Sequence, residues 1–272
     1  MKMKKKIISK WYKLLDFPTS FDEDFYSVLN KVDCSIFTNI DGYDASLHSP
    51  KENLLAYLYF CEDLQQRYQE KAIPQSILFD TLHDIVIWTN VHYQVHEELG
   101  LSELSWLKRH LSFKLFKLGR LQYCINGSEF DILDLGLKKD DSIIEVHIPE
   151  GEPLLLEKCK ESLKNAQTFF RKYFPEYEYE YYTCHSWLLD QSLLSLIDKT
   201  SNIALFQTLF HLRQSDNSDA LLKYIFRWDA TRENLSNLPA KSSLAKKIKR
   251  AIEEGKIFHE TLGFIPKNSI DE

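Results

Sequence analysis

Ser142-Ile-Ile-Glu-Val-His-Ile148 runs into Pro149-Glu-Gly-Glu-Pro153, then into a long amphipathic stretch closed by Pro175, and Tyr177 to Trp187 follows. In the first run Ile144, Val146 and Ile148 alternate with Glu145 and His147, the period-two pattern of a strand with one apolar face. Two prolines and a glycine break it. Beyond them Leu156, Cys159, Leu163, Ala166, Phe170 and Tyr173 recur at helical spacing. Tyr177–Trp187 reads as a second long strand. Strand, amphipathic helix and strand in this order predict a parallel pair joined by a right-handed crossover.

Upstream, Leu121, Tyr123 and Ile125 alternate with Arg120, Gln122 and Cys124, another strand. Asn126-Gly127 reads as a turn, with Phe130–Leu135 returning as the hairpin partner. Before residue 118 the period is helical. Ser20-Phe-Asp-Glu23 and Ser49-Pro-Lys-Glu52 have the spacing of capping boxes, the second with Pro50 at the first helical position. Leu54, Leu58, Cys61, Leu64 and Tyr68 follow on one face. A third helix is expected from Pro74, with the stripe Leu78, Leu82, Ile85, Trp88, His92, Val95, Leu99 and a stop at Gly100. A fourth follows Ser102, with Leu104, Leu107 and Leu111. Downstream lie a short helix near Leu193, strand-like runs Ile203–Leu212 and Ala220–Trp228, a polar turn at Ser215–Asp219, and a last helix Leu244–Glu254 ending at Gly255. The expected class is α+β, with a helical domain over 1–117 and a mixed-sheet domain with flanking helices over 118–272.

Composition bounds the rest. With 44% hydrophobic and 27% charged residues, the 272-residue chain is globular. A formal charge of -6 gives no reason to expect nucleic acid, whose phosphates require clustered cations. Five widely spaced cysteines without a CxxC pair fit reduced thiols in the cytoplasm. The lysine-rich start continues into Ile7-Ile-Ser-Lys-Trp-Tyr-Lys13, which is no secretory apolar core, and no run nears the ~20 apolar residues of a membrane-spanning helix. Oligomeric state is not legible.

Four constellations carry possible chemistry. Glu145 and His147 share one strand face about 7 Å apart along the backbone, and a carboxylate beside an imidazole makes a usable general base. An ordinary polar strand face is the competing reading. In Cys184-His-Ser-Trp187 adjacent residues point to opposite faces, so Cys184 and His185 do not form a nucleophile–base pair. His185 and Ser186 remain candidates for ligand contact. His92 and His96, four apart on one helix, could reach one metal, but a third ligand at characteristic spacing is missing, so packing is favoured and no metal is assigned. Lys246, Lys247, Lys249 and Arg250 could meet phosphates, or simply line a solvated helix face.

Phe116-Lys-Leu-Gly-Arg-Leu-Gln-Tyr123, Val146-His-Ile-Pro-Glu-Gly-Glu-Pro-Leu154, Cys184-His-Ser-Trp-Leu-Leu189 and Ser201-Asn-Ile203 resemble the GNAT-like acyltransferases that carry an extra helical domain in front. Trp88 and Gly100-Leu-Ser-Glu-Leu-Ser-Trp-Leu107 resemble that helical domain. The resemblance implies transfer of an acyl group, acetyl in the simplest case, from acyl-CoA to the amine of a small-molecule acceptor, with no metal. It also implies that Ser142–Ile148 and Tyr177–Trp187 splay apart around the pantetheine arm. The backbone around Glu150 and Gly151, entering the helix at Pro153, would hold the pyrophosphate, with Ile148, Leu154 and Asn202 also binding the cofactor. Glu145 or His147 would act as base, with His185, Ser186 and Asn202 toward the acceptor. The usual loop of the wider superfamily has Gln or Arg, two residues, Gly, one residue, then Gly or Ala. Here two carboxylates, Glu150 and Glu152, stand where phosphates would sit and repel them unless they turn away. That feature supports an alternative, a non-catalytic ligand-binding or interaction module on the same fold.

Overall fold

A computed structural model describes residues 2–270, the Gln214 side chain excepted. The chain divides into two compact units, Met1–Lys117 and Leu118–Glu272.

The first unit is built from α1 (Lys2–Leu14), α2 (Asp22–Lys31), α3 (Pro50–Glu70), α4 (Gln75–Leu82), α5 (Asp84–His96) and α6 (Leu104–Leu111). Its central helix α3 buries Leu54, Leu58, Cys61, Leu64 and Tyr68. The box at its start forms in both directions: Ser49 N–H donates to Glu52 Oε2 at 2.8 Å, and Glu52 N–H to Ser49 Oγ at 3.3 Å. The box at Ser20 does not form. Thr19–Phe21 is a 3-10 turn, and α2 starts at Asp22 without a side-chain cap. Asp22, Glu23 and Asp24 in its first turn complement the helix dipole instead. The expected third helix is two helices, broken at His83, which puts the buried Asp84 in the first turn of α5. Helix α5 ends before Gly100, where Glu97 turns left-handed at φ 55°. Among the described residues no helix is long and apolar enough to cross a membrane.

After β1 (Leu115–Leu118), the second unit continues with β2 (Leu121–Gly127), β3 (Ser142–His147), α7 (Leu156–Tyr173), β4 (Tyr181–Ser186), α8 (Asn202–Gln207), β5 (His211–Asn217), α9 (Ala220–Ile225), α10 (Ser243–Glu253) and β6 (His259–Pro266). The sheet runs β2–β3–β4–β6–β5 across this unit. Among β2 to β6, β3 and β4 pair in parallel, joined through α7, and the other neighbours are antiparallel. The α+β class expected from the sequence is the one observed.

Several boundaries differ from expectation, each for a packing reason. Strand β2 pairs with β3, not with Phe130–Leu135, and Asn126-Gly127 continues the strand to Gly127↔Ser142. Gly127 serves close approach rather than a turn, since a Cβ there would lie 3.2 Å from Asp140 Cα. Residues 128–141 form a loop whose Ile132 and Leu137 pack with Ile143 and Leu262, so its apolar residues plug the sheet instead of extending it. The run from Ile203 is helix α8, capped by Ser201 Oγ, followed by β5. Ser215–Asn217 belong to β5 and not to a turn, and Ala220–Ile225 is α9. The second long strand is shorter than expected, beginning at Tyr181. Strand β6 escapes the period-two test because it lies between β4 and β5 and is buried on both faces from Thr261 to Ile265.

Candidate functional site

Register assigns every side chain of the central strands to a face. Tyr123↔Val146 and Ile144↔Tyr182 share one face. That face carries α7, because the Tyr123 hydroxyl donates to Ser162 Oγ at 3.1 Å. Ser162 Oγ in turn donates to the Leu118 carbonyl and accepts from Leu121 N–H, which bolts α7 onto β2. The opposite face carries Gln122↔His147, Cys124↔Glu145 and Glu145↔Thr183. His185, two residues beyond Thr183, shares it.

A pocket opens on this second face, lined by Glu145, His147, Thr183 and His185 of the strands and by Glu129 and Phe130 of the β2–β3 loop. His147 Nε2 lies 3.2 Å from Glu145 Oε2, and Asn126 Nδ2 donates to Glu145 Oε1 at 3.0 Å. The carboxylate is therefore held at both oxygens, one toward the imidazole. The Phe130 ring meets the His185 ring edge-on, centroids 5.5 Å apart. Loop residues are fixed in turn: Arg213 pairs with Asp134 at 3.0 Å, and the Tyr181 hydroxyl donates to the Leu135 carbonyl.

Beside the pocket the parallel pair comes apart. Strands β3 and β4 pair at Ile144↔Tyr182 and Glu145↔Thr183, yet β3 continues to His147 and β4 to Ser186. Past Thr183 the two C-terminal strand ends carry backbone groups with no ladder partner between them. The loop that follows β3 reaches α7 through Gly151, whose φ of +116° only glycine adopts without strain and around which a Cβ would meet nothing. Buried Arg120 braces this loop, donating to the carbonyls of Pro149 (3.0 Å) and Pro153 (3.3 Å). Leu155 gives α7 no side-chain cap, so the amides of its first turn face outward unclaimed by a cap. Glu152 is drawn aside to Lys158 at 2.8 Å.

The expected site residues divide accordingly. Glu145, His147 and His185 come together in the pocket. Ser186 stands on the other face, where its Oγ accepts from Leu188 N–H and caps a 3-10 turn. Ile148, Glu150 and Gly151 lie in the loop, and Leu154 is buried. Asn202 is the first residue of α8, which packs on α7, and does not line the pocket. Cys184 is buried on the α7 face, where burial and then Glu145 push its thiol strongly up, so it is no nucleophile. Lys247 and Lys249 donate to the carbonyls of Leu196, Ser236 and Leu238, so half the basic cluster on α10 ties loops together. In the first unit His92 Nδ1 lies 2.7 Å from Ser102 Oγ, and no group of three or more metal-ligating side chains occurs among the described residues. Asn126, Glu129 and Phe130 were missed because the sequence reads as a hairpin turn there. Register alone would have found Asn126, which shares a face with its diagonal neighbour Glu145.

Comparison with known proteins follows the same division. Residues 115–265 match the GNAT-like C-terminal domain, and residues 14–113 match the N-acyltransferase N-terminal domain. The chain belongs to the GNAT-like C-terminal domain family. Among solved structures it is similar to an acyltransferase in complex with decanoyl-CoA and teicoplanin, at 22% identity and a TM-score of 0.76, over 95% of this chain and 87% of that one. It is also similar to an acyltransferase in complex with decanoyl-CoA, at 23% identity and a TM-score of 0.74, over 94% and 86%. At such identities the likeness is one of fold. No curated protein matches.

Proposed function

We propose that this chain transfers an acyl group from acyl-CoA to the amine of a small-molecule acceptor. The observation that carries the proposal is the Glu145–His147 pair, held by Asn126 at the point where β3 and β4 cease to pair. Acyl-CoA fits the features around it. The separated strand ends offer backbone hydrogen bonds to a pantetheine arm, and the uncapped start of α7 offers amides to a pyrophosphate. The acidic turn is compatible with this, since Lys158 holds Glu152 and Arg120 fixes the loop from behind. Acyltransferases of the same fold hold decanoyl-CoA, and one holds teicoplanin as well.

The chemistry needs a base, an acyl donor and somewhere for charge to develop. With one proton on Nε2 directed at Glu145, the lone pair of His147 is on Nδ1 and accepts a proton from the incoming ammonium. The neutral amine attacks the thioester carbonyl. A C–N bond forms, the C–S bond breaks, and the second amine proton leaves with the CoA thiolate, so amide, thiol and one proton are the products. Backbone N–H groups at the open end of β3 stabilise the oxyanion. His185 lines the acceptor side, whereas Ser186 points to the opposite face of the sheet and caps a 3-10 turn. Replacing both Glu145 and His147 with Ala should abolish thiol release from acetyl-CoA in the presence of an amine, with acyl-CoA binding retained. Full activity in the double variant would discard this base.

A further inference from the structure

Two residues of the pocket wall carry polar groups that the fold leaves unused. Thr183 is 5% exposed and lines the pocket, and its hydroxyl makes no hydrogen bond among the described residues. Buried hydroxyls without a partner are rare, because each forfeits its hydration. Thr183 Oγ1 is not among the unpartnered atoms sealed from solvent, so it keeps accessible surface, and the pocket is what Thr183 lines. Glu129 lines the same pocket from the β2–β3 loop. It is exposed, and its carboxylate has no hydrogen-bond or ion-pair partner among the described residues. Glu145 adds a second carboxylate to the wall, already engaged by Asn126 and His147. No Lys or Arg is among the residues that line it.

From these features we infer that the acceptor is a diamine. Its reacting amine donates an N–H to Thr183 Oγ1 and gives its proton to His147, while its second, protonated amine sits against Glu129. The inference rests on the acyl-transfer proposal and names the acceptor class. Thr183 stands beside Glu145 across the parallel pair, on strands about 4.8 Å apart, so its hydroxyl is at hand where the Glu145–His147 pair meets the pocket. Two carboxylates and no cationic wall residue disfavour an acceptor whose second polar group is an anion, and favour a cation. The lining also includes Ile132, Ile143 and Leu262, apolar surface that suits a short methylene chain.

The test uses the full chain, acetyl-CoA and three acceptors of similar length, putrescine, butylamine and γ-aminobutyrate, with thiol release as readout. The wild type should prefer putrescine to butylamine in kcat/KM by about fivefold, the upper worth of an exposed ion pair, and should use γ-aminobutyrate least. Added salt should shrink that preference. In Glu129→Gln the putrescine-to-butylamine ratio should fall to about one. In Thr183→Val the KM of both amines should rise by about fivefold, with the urea midpoint level or higher because an unpartnered polar group has been removed. A ratio that survives Glu129→Gln overturns the inference. So does a preference for γ-aminobutyrate, a lowered urea midpoint in Thr183→Val (the hydroxyl then had a structural partner), or a wild type that binds acetyl-CoA and accepts none of the three. The two levels fail separately. Calorimetry that finds no acetyl-CoA binding removes the transfer proposal itself, whereas equal turnover of butylamine and putrescine removes the diamine alone.

Discussion

Each unit of the molecule contains a close histidine–carboxylate contact, and two of these, His110–Asp84 and His147–Glu145, are alike in length and opposite in setting. In the helical unit His110 Nε2 lies 2.9 Å from Asp84 Oδ2, with side chains 0% and 5% exposed. In the sheet unit His147 Nε2 lies 3.2 Å from Glu145 Oε2, with 28% and 16% exposure. Asp84 also accepts from Trp106 Nε1, and His110 Nδ1 lies 3.3 Å from the Trp106 carbonyl. Both nitrogens of that imidazole are therefore engaged, and it ties α5 to α6. The sheet pair opens onto a pocket at a break in strand pairing. Distance alone does not distinguish a base from a strut. Burial, and whether the pair meets a pocket, distinguish them.

The comparison breaks most visibly if the sheet pair is removed. His147→Ala should lower turnover by about 10²- to 10⁴-fold, the usual worth of a positioned base. Thermal stability and the affinity for acetyl-CoA should scarcely change. A stability loss equal to that of the helical pair would make His147 a strut too. Next in size, His110→Ala removes the histidine partner of the buried Asp84 and should cost about 3–5 kcal/mol in urea unfolding, with turnover per folded molecule intact.

Smaller effects sharpen how each unit is specified. Ser49→Ala removes a two-way capping box and should cost about 1 kcal/mol, whereas Ser20→Ala should stay within about 0.5 kcal/mol. Equal losses would contradict the 3-10 start of α2. The smallest effect belongs to His92, whose pKa is lowered by burial first and then by His96 and Lys51, against Glu98. Since the folded ring resists protonation, the unfolded chain binds more protons below about pH 6.5. His92 therefore lends stability that is complete above that pH and is lost as pH falls through the window beneath it. Urea midpoints measured from pH 7.5 downward should fall less steeply in His92→Gln.

How far the sequence reveals this depends on what each residue's pattern answers to. The strand–helix–strand unit around Ser142–Trp187 was readable because α7 and β3 each bury one face, which leaves a clean period. The face shared by Glu145 and His147 followed from the same alternation. Strand β6 was unreadable because burial on both faces erases alternation, and its Gly263 is fixed by tight packing against Leu189 and Phe210. The loop of residues 128–141 imitates a strand because Phe130 and Ile132 are apolar for the sake of the pocket wall and the plug beneath it.

The most direct test of the central claim is a calorimetric titration of the full chain with acetyl-CoA and with free CoA at moderate salt. The account predicts saturable binding of both despite Glu150 and Glu152, with the affinity preserved in the Glu145→Ala, His147→Ala double variant. Absence of binding to either would contradict it and leave a GNAT-like fold serving as a non-catalytic module.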